Sequence, residues 1–269
     1  IALGDKISAK ELESSSGDSY GVLYDSFMCG GCQTCEFTCA ELHGLPEPVD
    51  RPEEDVNRKL DHTRRTVVNK YKFEDGVASV KTQCMHCEDP ACVSACLTQA
   101  MHKTKEGPVI WREDKCMGCR YCMISCPFDV PKFEYNSSNP KIIKCDMCYD
   151  RLQEGKKPAC VEICPNEALV FGKHSELIKI ARERIMEYPD WYVDHIYGER
   201  EAGGTGWMYN AQKPFDKIGF NTKIQKDSYP ELTKGFLYSV PSIFILWPTM
   251  LLGIHEATKN KNNKNEEDE

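Results

Sequence analysis

Short apolar runs alternate with longer polar stretches along the chain, in an order that repeats. Gly21–Tyr24, Val77–Val80, Val109–Trp111 and Ile142–Ile143 are rich in β-branched, aliphatic and aromatic residues and too short for helices, so they read as strands. Each precedes a cysteine-bearing loop. Two of these loops end on similar text, Cys96-Leu97-Thr98-Gln99-Ala100 and Cys164-Pro165-Asn166-Glu167-Ala168. The repeating unit is strand, cysteine loop and short helix, and two pairs of units predict two related modules between Tyr20 and Gly172. Leu42–Asn69, rich in proline and charge, reads as an insertion between the first two loops. Farther on, Leu177, Ile178, Ala181 and Ile185 share one face of a predicted helix over Ser175–Tyr188, with Ser175 placed to cap it and Pro189 beyond its end.

Gly235–Ile254 has a different character. It holds twenty residues without a charge, close to the ~20 needed to cross a hydrocarbon core. Pro241 and Pro248 interrupt it, which a membrane helix tolerates better than a buried soluble one. Lys234 precedes it, and Lys259, Lys261 and Lys264 follow. A membrane span is the favoured reading, and a helix buried in a partner protein is the other. Asn260–Glu269 is of low complexity and is expected to be disordered. Gly203-Gly204-Thr205-Gly206 lacks the strand and helix that frame a nucleotide site, so it is expected to be a loop packed on the cysteine core. These boundaries divide the chain into an extended arm (1–19), a four-loop domain (20–174), an extension with helix and loops (175–234), a membrane span (235–254) and a polar tail (255–269). The arm carries no signal-peptide pattern, so such a segment either was removed or was never there.

The net charge of −8 argues against a nucleic-acid partner, and the mean hydropathy of −0.53 against a polytopic membrane protein. The sixteen cysteines change the picture most. Cys29, Cys32, Cys35 and Cys39 form the first group, and Cys84, Cys87, Cys92 and Cys96 the second. Cys116, Cys119, Cys122 and Cys126 form the third, and Cys145, Cys148, Cys160 and Cys164 the fourth. None is left over. The third group reads C-x2-C-x2-C-x3-C-P, with Pro127 last, which is the run that wraps three corners of an iron–sulfur cubane and sends its fourth thiolate to another cluster. Zinc would rather take two separated C-x2-C knuckles, and disulfides within so tight a loop would be strained. Four complete groups imply four [4Fe–4S] clusters.

Groups two and three are close in sequence and predict one module; groups one and four then pair around it. That nesting predicts four ligand sets: Cys29, Cys32, Cys35 with Cys164; Cys145, Cys148, Cys160 with Cys39; Cys84, Cys87, Cys92 with Cys126; Cys116, Cys119, Cys122 with Cys96. Sequential pairing, one with two and three with four, is the competing arrangement. Each oxidised cluster with its thiolates carries roughly −2. Lys81, Lys115, Arg120 and Lys144 stand beside the motifs as candidates to offset that charge, unless they are merely solvated. His86, inside group two, is read as a loop residue rather than a ligand.

The segments Tyr20–Cys39, Gln83–Cys96, Cys116–Tyr135, Lys144–Gly172 and Tyr197–Thr205 resemble the four-cluster iron–sulfur subunits of molybdopterin oxidoreductase and membrane-bound hydrogenase complexes. The opening YGVLYD most resembles the periplasmic subunit of quinone-linked uptake hydrogenases, and Cys148–Cys164 is about as similar to the electron-transfer subunit of membrane formate dehydrogenase. Leu97 departs from the proline usual in the family at that position. The resemblance implies an α+β fold of two pseudo-symmetric bacterial ferredoxin-like modules with insertions, plus one C-terminal transmembrane helix. It implies an electron relay between a catalytic redox subunit (a hydrogenase, a molybdopterin enzyme or a multihaem cytochrome c) and an integral membrane quinone-binding subunit. It also implies export in the folded state and a cluster domain in the periplasm, anchored in membrane lipid with the C-terminus cytoplasmic. No spare cysteine, phosphate loop or flavin fingerprint suggests a substrate site. An enzyme in its own right and a purely structural tether are the alternatives; the second has no use for redox centres.

Overall fold

A computed structural model describes residues 18–267. The described chain divides into two units, one ending at Ser228 and one beginning at Tyr229. In the first, strand β1 (Tyr20–Asp25) leads into the first cysteine loop and helix α1 (Thr34–Leu42). A hairpin of β2 (Val67–Phe73) and β3 (Gly76–Thr82) follows, then the second loop with the short helix α2 (Ala91–Ser94). A second hairpin, β4 (Met101–Lys103) and β5 (Val109–Trp111), leads to the third loop and α3 (Tyr121–Ser125). The short pair β6 (Lys132–Phe133) and β7 (Ile142–Ile143) precedes the fourth loop, with α4 (Tyr149–Gln153) and α5 (Ala159–Glu162). Strand β8 (Leu169–Lys173), helix α6 (His174–Glu187) and strand β9 (Trp207–Asn210) complete the unit. The result is a mixed α+β fold of small sheets around two cysteine-bearing modules.

Every predicted strand is present, and the repeat is visible in the backbone. Gln33 and Arg120 both precede the helix bearing the third cysteine of their loops, and both are left-handed, with φ of 67° and 62°. His86 and Met147 repeat this inside the second and fourth loops (50° and 58°), and Gln99 and Glu167 repeat it three residues after the last cysteine (56° and 50°). Such positive φ costs a non-glycine residue energy, so its recurrence at equivalent positions marks the shared need to wrap a loop around one centre. Helix α1 packs on α5, and α2 on α3. Groups one and four therefore form one module and groups two and three the other, as nesting requires.

Three departures from the sequence reading have clear causes. First, β9 comes from the segment expected to be loop. It lies parallel to β1, which is antiparallel to β8 on its other side, so β1 is central and wholly buried. The glycine run before β9 still packs on the cysteine core: Glu88 N–H donates to Gly204 O (2.9 Å), Gly206 N–H to His86 O (3.0 Å) and Trp207 N–H to Met85 O (3.1 Å). Gly198 has φ of 98°, and a Cβ there would lie 2.4 Å from Trp207 O, so only glycine suits this turn. Second, α6 begins at His174, and Ser175 lies inside it instead of capping it. Asp18 serves that role from the arm: its carboxylate accepts from Ser175 N–H (3.2 Å) and Ser175 Oγ (2.6 Å). Residues 1–17 of the predicted arm fall outside the described residues. Leu177, Ala181 and Ile185 of α6 are buried against Leu23 and Met208.

Third, the second unit is a single helix, α7 (Tyr229–Glu267), longer at both ends than the predicted span. Asn260–Glu267 continues it where disorder was expected; lysine, glutamate and asparagine without glycine or proline do not stop a helix already nucleated. Tyr229–Lys259 is long and apolar enough to cross a membrane, and its apolar window has no burial within the chain. Around Pro241 and Pro248, Ser239 Oγ bonds Phe236 O (2.7 Å) and Thr249 Oγ1 bonds Ile245 O (3.0 Å). These carbonyls neighbour those of Leu237 and Phe244, from which Pro241 and Pro248 withhold the i−4 donor.

Candidate metal centres

The sixteen cysteines are all free thiols, and the fold gathers them in fours. Cys29, Cys32 and Cys35, on the loop from β1 into α1, share one cavity with Cys164, which follows α5. Cys145, Cys148 and Cys160 share another with Cys39 of α1. In the other module, Cys87 feels the thiolate charges of Cys84, Cys126 and Cys92, and Cys122 those of Cys116, Cys96 and Cys119. In each of the four sets, three thiols come from one loop and the fourth from its partner loop.

The electrostatics show what such a set accepts. Burial pushes the thiols up: Cys39, Cys92 and Cys122 to about 12, Cys126 and Cys148 to about 11. Neighbouring thiolates within each set push them further. Four thiolates crowded in a poorly solvated cavity need positive charge among them, which a thiophilic metal centre supplies while displacing the protons. Cys96 differs: burial raises it, but N–H and hydroxyl donors outweigh that and its pKa is lowered, with Met101 N–H 3.3 Å from its sulfur. Met147 N–H donates similarly to Cys145 Sγ (3.3 Å). Donors of this kind are what tune cluster sulfurs.

The sets form a continuous series. Cys35 of the first feels Cys160 of the second. Tyr209, whose hydroxyl donates to Lys81 O (3.1 Å) and accepts from Gln83 Nε2 (2.5 Å), feels Cys145 and Cys160 of the second set and Cys84 of the third. Cys92 of the third feels Cys122 of the fourth. Only two of the cysteines are exposed, Cys32 in the first set and Cys119 in the fourth. Leu97, Met117, Tyr121 and Ile124 are exposed in the sequence around the fourth set.

Of the four basic candidates, Lys81 and Lys144 are buried, whereas Lys115 and Arg120 are exposed. Lys81 lines both cavities of its module. Burial alone would lower its pKa, but Cys160, Cys35, Cys145 and Cys39 more than offset this and hold it raised. Lys144 Nζ donates to Cys145 O (2.7 Å) and to Val109 O. Lys103, which spacing did not single out, donates to Cys87 O (2.9 Å) and lies 3.5 Å from Glu88. His86 is fully buried, and Nδ1 accepts from Val109 N–H (2.8 Å). Burial, with Lys144, Lys103 and Lys81 nearby, holds His86 well below the usual histidine range, in the neutral form that this bond requires. Beside the second set, Asp146 pairs with Arg65 and His43, the latter at 3.6 Å.

A further ionic pair positions α1. Glu36, next to Cys35, is buried and bonded by Arg58 Nη2 (2.6 Å), Arg58 Nη1 (3.2 Å) and Val68 N–H (2.5 Å). The predicted insertion thus supplies the arginine that ties the first cysteine helix to the β2–β3 hairpin.

The family model for the 4Fe-4S dicluster domain matches residues 77–174, a stretch that includes twelve of the cysteines. Among curated proteins, one from Nitratidesulfovibrio vulgaris is 46% identical over 91% of this chain and 68% of its own length. The hydrogenase-2 operon protein HybA of Escherichia coli O157:H7 is 38% identical, covering 74% of this chain and 72% of the relative. The B subunit of anaerobic dimethyl sulfoxide reductase from Escherichia coli K12 is 41% identical over 60% of this chain and 76% of the relative.

Proposed function

Because this protein belongs to the family of iron–sulfur electron-transfer subunits represented by HybA and the dimethyl sulfoxide reductase B subunit, we propose that it is a four-cluster electron relay. The four thiol sets each hold one [4Fe–4S] cluster, whose chemistry is one-electron transfer. The protein's part is to fix the order of the centres and to set their environments. One observation carries the reading: the sets form a series whose middle members are shielded, and the exposed cysteines, Cys32 and Cys119, belong to its two ends. A relay needs two accessible termini and an insulated interior; a tether needs neither.

The electrons pass between a catalytic redox subunit and a quinone-linked membrane partner, and the chain has no substrate chemistry of its own. The greater reach of the HybA match, 74% of the chain against 60% for the reductase B subunit, favours a hydrogenase-type partner over a molybdopterin reductase. Helix α7 anchors the chain, with the cluster domain in the periplasm and the C-terminus in the cytoplasm.

Anaerobic purification of the protein alone and in its membrane complex tests this function. The isolated protein shows reducible [4Fe–4S] signals but no turnover of hydrogen, formate or dimethyl sulfoxide; the complex couples one such donor or acceptor to quinone. Turnover by the isolated protein contradicts the relay assignment.

A further inference from the structure

We propose that Lys81 is a counter-charge shared by the first and second clusters, raising the potentials of both more than those of the third and fourth. The inference rests on the four-cluster reading above and goes beyond it to the control of potential.

Lys81 lines the cavity of Cys29, Cys32, Cys35 and Cys164 and also that of Cys39, Cys145, Cys148 and Cys160. It is only 2% exposed. Its ammonium donates to Thr66 Oγ1 (2.7 Å) and Gln83 Oε1 (2.9 Å) and lies 4.7 Å from the centre of the Trp207 ring. All three partners are uncharged. Among the described residues no carboxylate pairs with it, so its positive charge is left for the two thiol sets that flank it. A buried cation without a counter-ion is costly, and the fold retains this one between two anionic centres.

Each one-electron reduction adds a negative charge to a cluster site, roughly −2 becoming −3. A fixed cation beside the site stabilises the reduced form more than the oxidised form and raises the potential. Because screening inside the fold is weak, one charge can act on two neighbouring sites. The third set has a cation of its own in Lys103, which bonds the Cys87 carbonyl, while Lys144 acts both on Cys92 of the third set and, through the Cys145 carbonyl, on the second. The basic residues beside the fourth, Lys115 and Arg120, are exposed. Loss of Lys81 therefore acts most strongly on the module whose two cavities it lines.

The test uses the full chain, purified anaerobically with its clusters as wild type, Lys81→Met, Lys81→Gln and Lys81→Arg. Iron content gives the number of clusters, and potentiometric titration followed by electron paramagnetic resonance gives their potentials. With four clusters retained, both neutral variants should show two of the four midpoints shifted downward, and Lys81→Arg should restore them towards wild type. Unchanged midpoints in the neutral variants overturn the proposal, as does an equal shift of all four. If neither neutral variant assembles, assembly of Lys81→Arg with four clusters supports the need for charge, and its failure shows that the stem matters and overturns the proposal. Fewer than four clusters in the wild-type chain would instead refute the four-cluster reading itself.

Discussion

Cys29 and Cys164 line the same cavity although they belong to the first and last cysteine groups of the chain. The first thiol set thus ties the start of the cluster domain to its end, and α1 packs on α5 beside it. This long-range closure distinguishes nested from sequential pairing. It also means that damage to the fourth group should be felt in the first cluster.

Exchange of single thiolates tests that arrangement. Cys164→Ser and Cys29→Ser should each alter the same one of four cluster signals. Cys39→Ser should instead alter the signal shared with Cys145, Cys148 and Cys160. Electron paramagnetic resonance of the reduced variants distinguishes these patterns; a common signal for Cys39→Ser and Cys29→Ser would mean that each loop ligates its own cluster.

The buried pair of Glu36 and Arg58 should dominate the stability of the first loop. Arg58→Met leaves a carboxylate enclosed beside Cys35 with its main partner gone. Breaking such a pair from one side costs about 3–5 kcal/mol, whereas replacing both residues by apolar ones should cost far less. Denaturant unfolding of the cluster-loaded variants checks the contrast, and a cost below about 1 kcal/mol for Arg58→Met would show that the pair is dispensable.

Tyr192 sets a pH dependence away from the clusters. Its hydroxyl donates to the buried carboxylate of Asp25 (2.7 Å), which Arg184 also bonds (2.7 Å). Burial, reinforced by Asp25, raises the Tyr192 pKa above the ordinary value of 10.0. A folded-state pKa above the unfolded one contributes stability that is complete below about pH 10 and is lost as the pH rises towards the folded value. Tyr192→Phe should cost about 1.5–3 kcal/mol near neutrality, the worth of a hydrogen bond to a charged group, and should flatten the alkaline loss. Stability curves between pH 7 and 11 would show the same alkaline slope in both proteins if Tyr192 did not contribute.

Topology has its own test. Removing residues 229–269 should release the cluster domain from membranes unless a partner retains it. Protease added to intact spheroplasts should digest the cluster domain; survival until lysis would place that domain in the cytoplasm.

Much of this was legible in the sequence because the decisive signals are local. Cysteine spacing reports the shape of the group to be wrapped, and the strand before each loop is a short apolar run with its turn. What local patterns do not report is which distant segment completes a layer. Strand β9 has only Trp207–Asn210 to offer as a pattern, and it becomes a strand because β1 presents a free edge. Lys103 reads as any hairpin lysine until the fold places it against Cys87. Asp18 caps α6 from a polar arm in which nothing local signals a contact. The glycines at 203–206 were recognisable as a loop, but its role in bonding the second cysteine loop depends on the tertiary path.

The proposed relay requires that the sixteen thiols hold four cubane clusters in one polypeptide. The most direct measurement is the iron and acid-labile sulfide content of the anaerobically purified protein. About sixteen of each per polypeptide are expected, as four [4Fe–4S] clusters require. About four metal ions per polypeptide, mostly zinc and without sulfide, would contradict it.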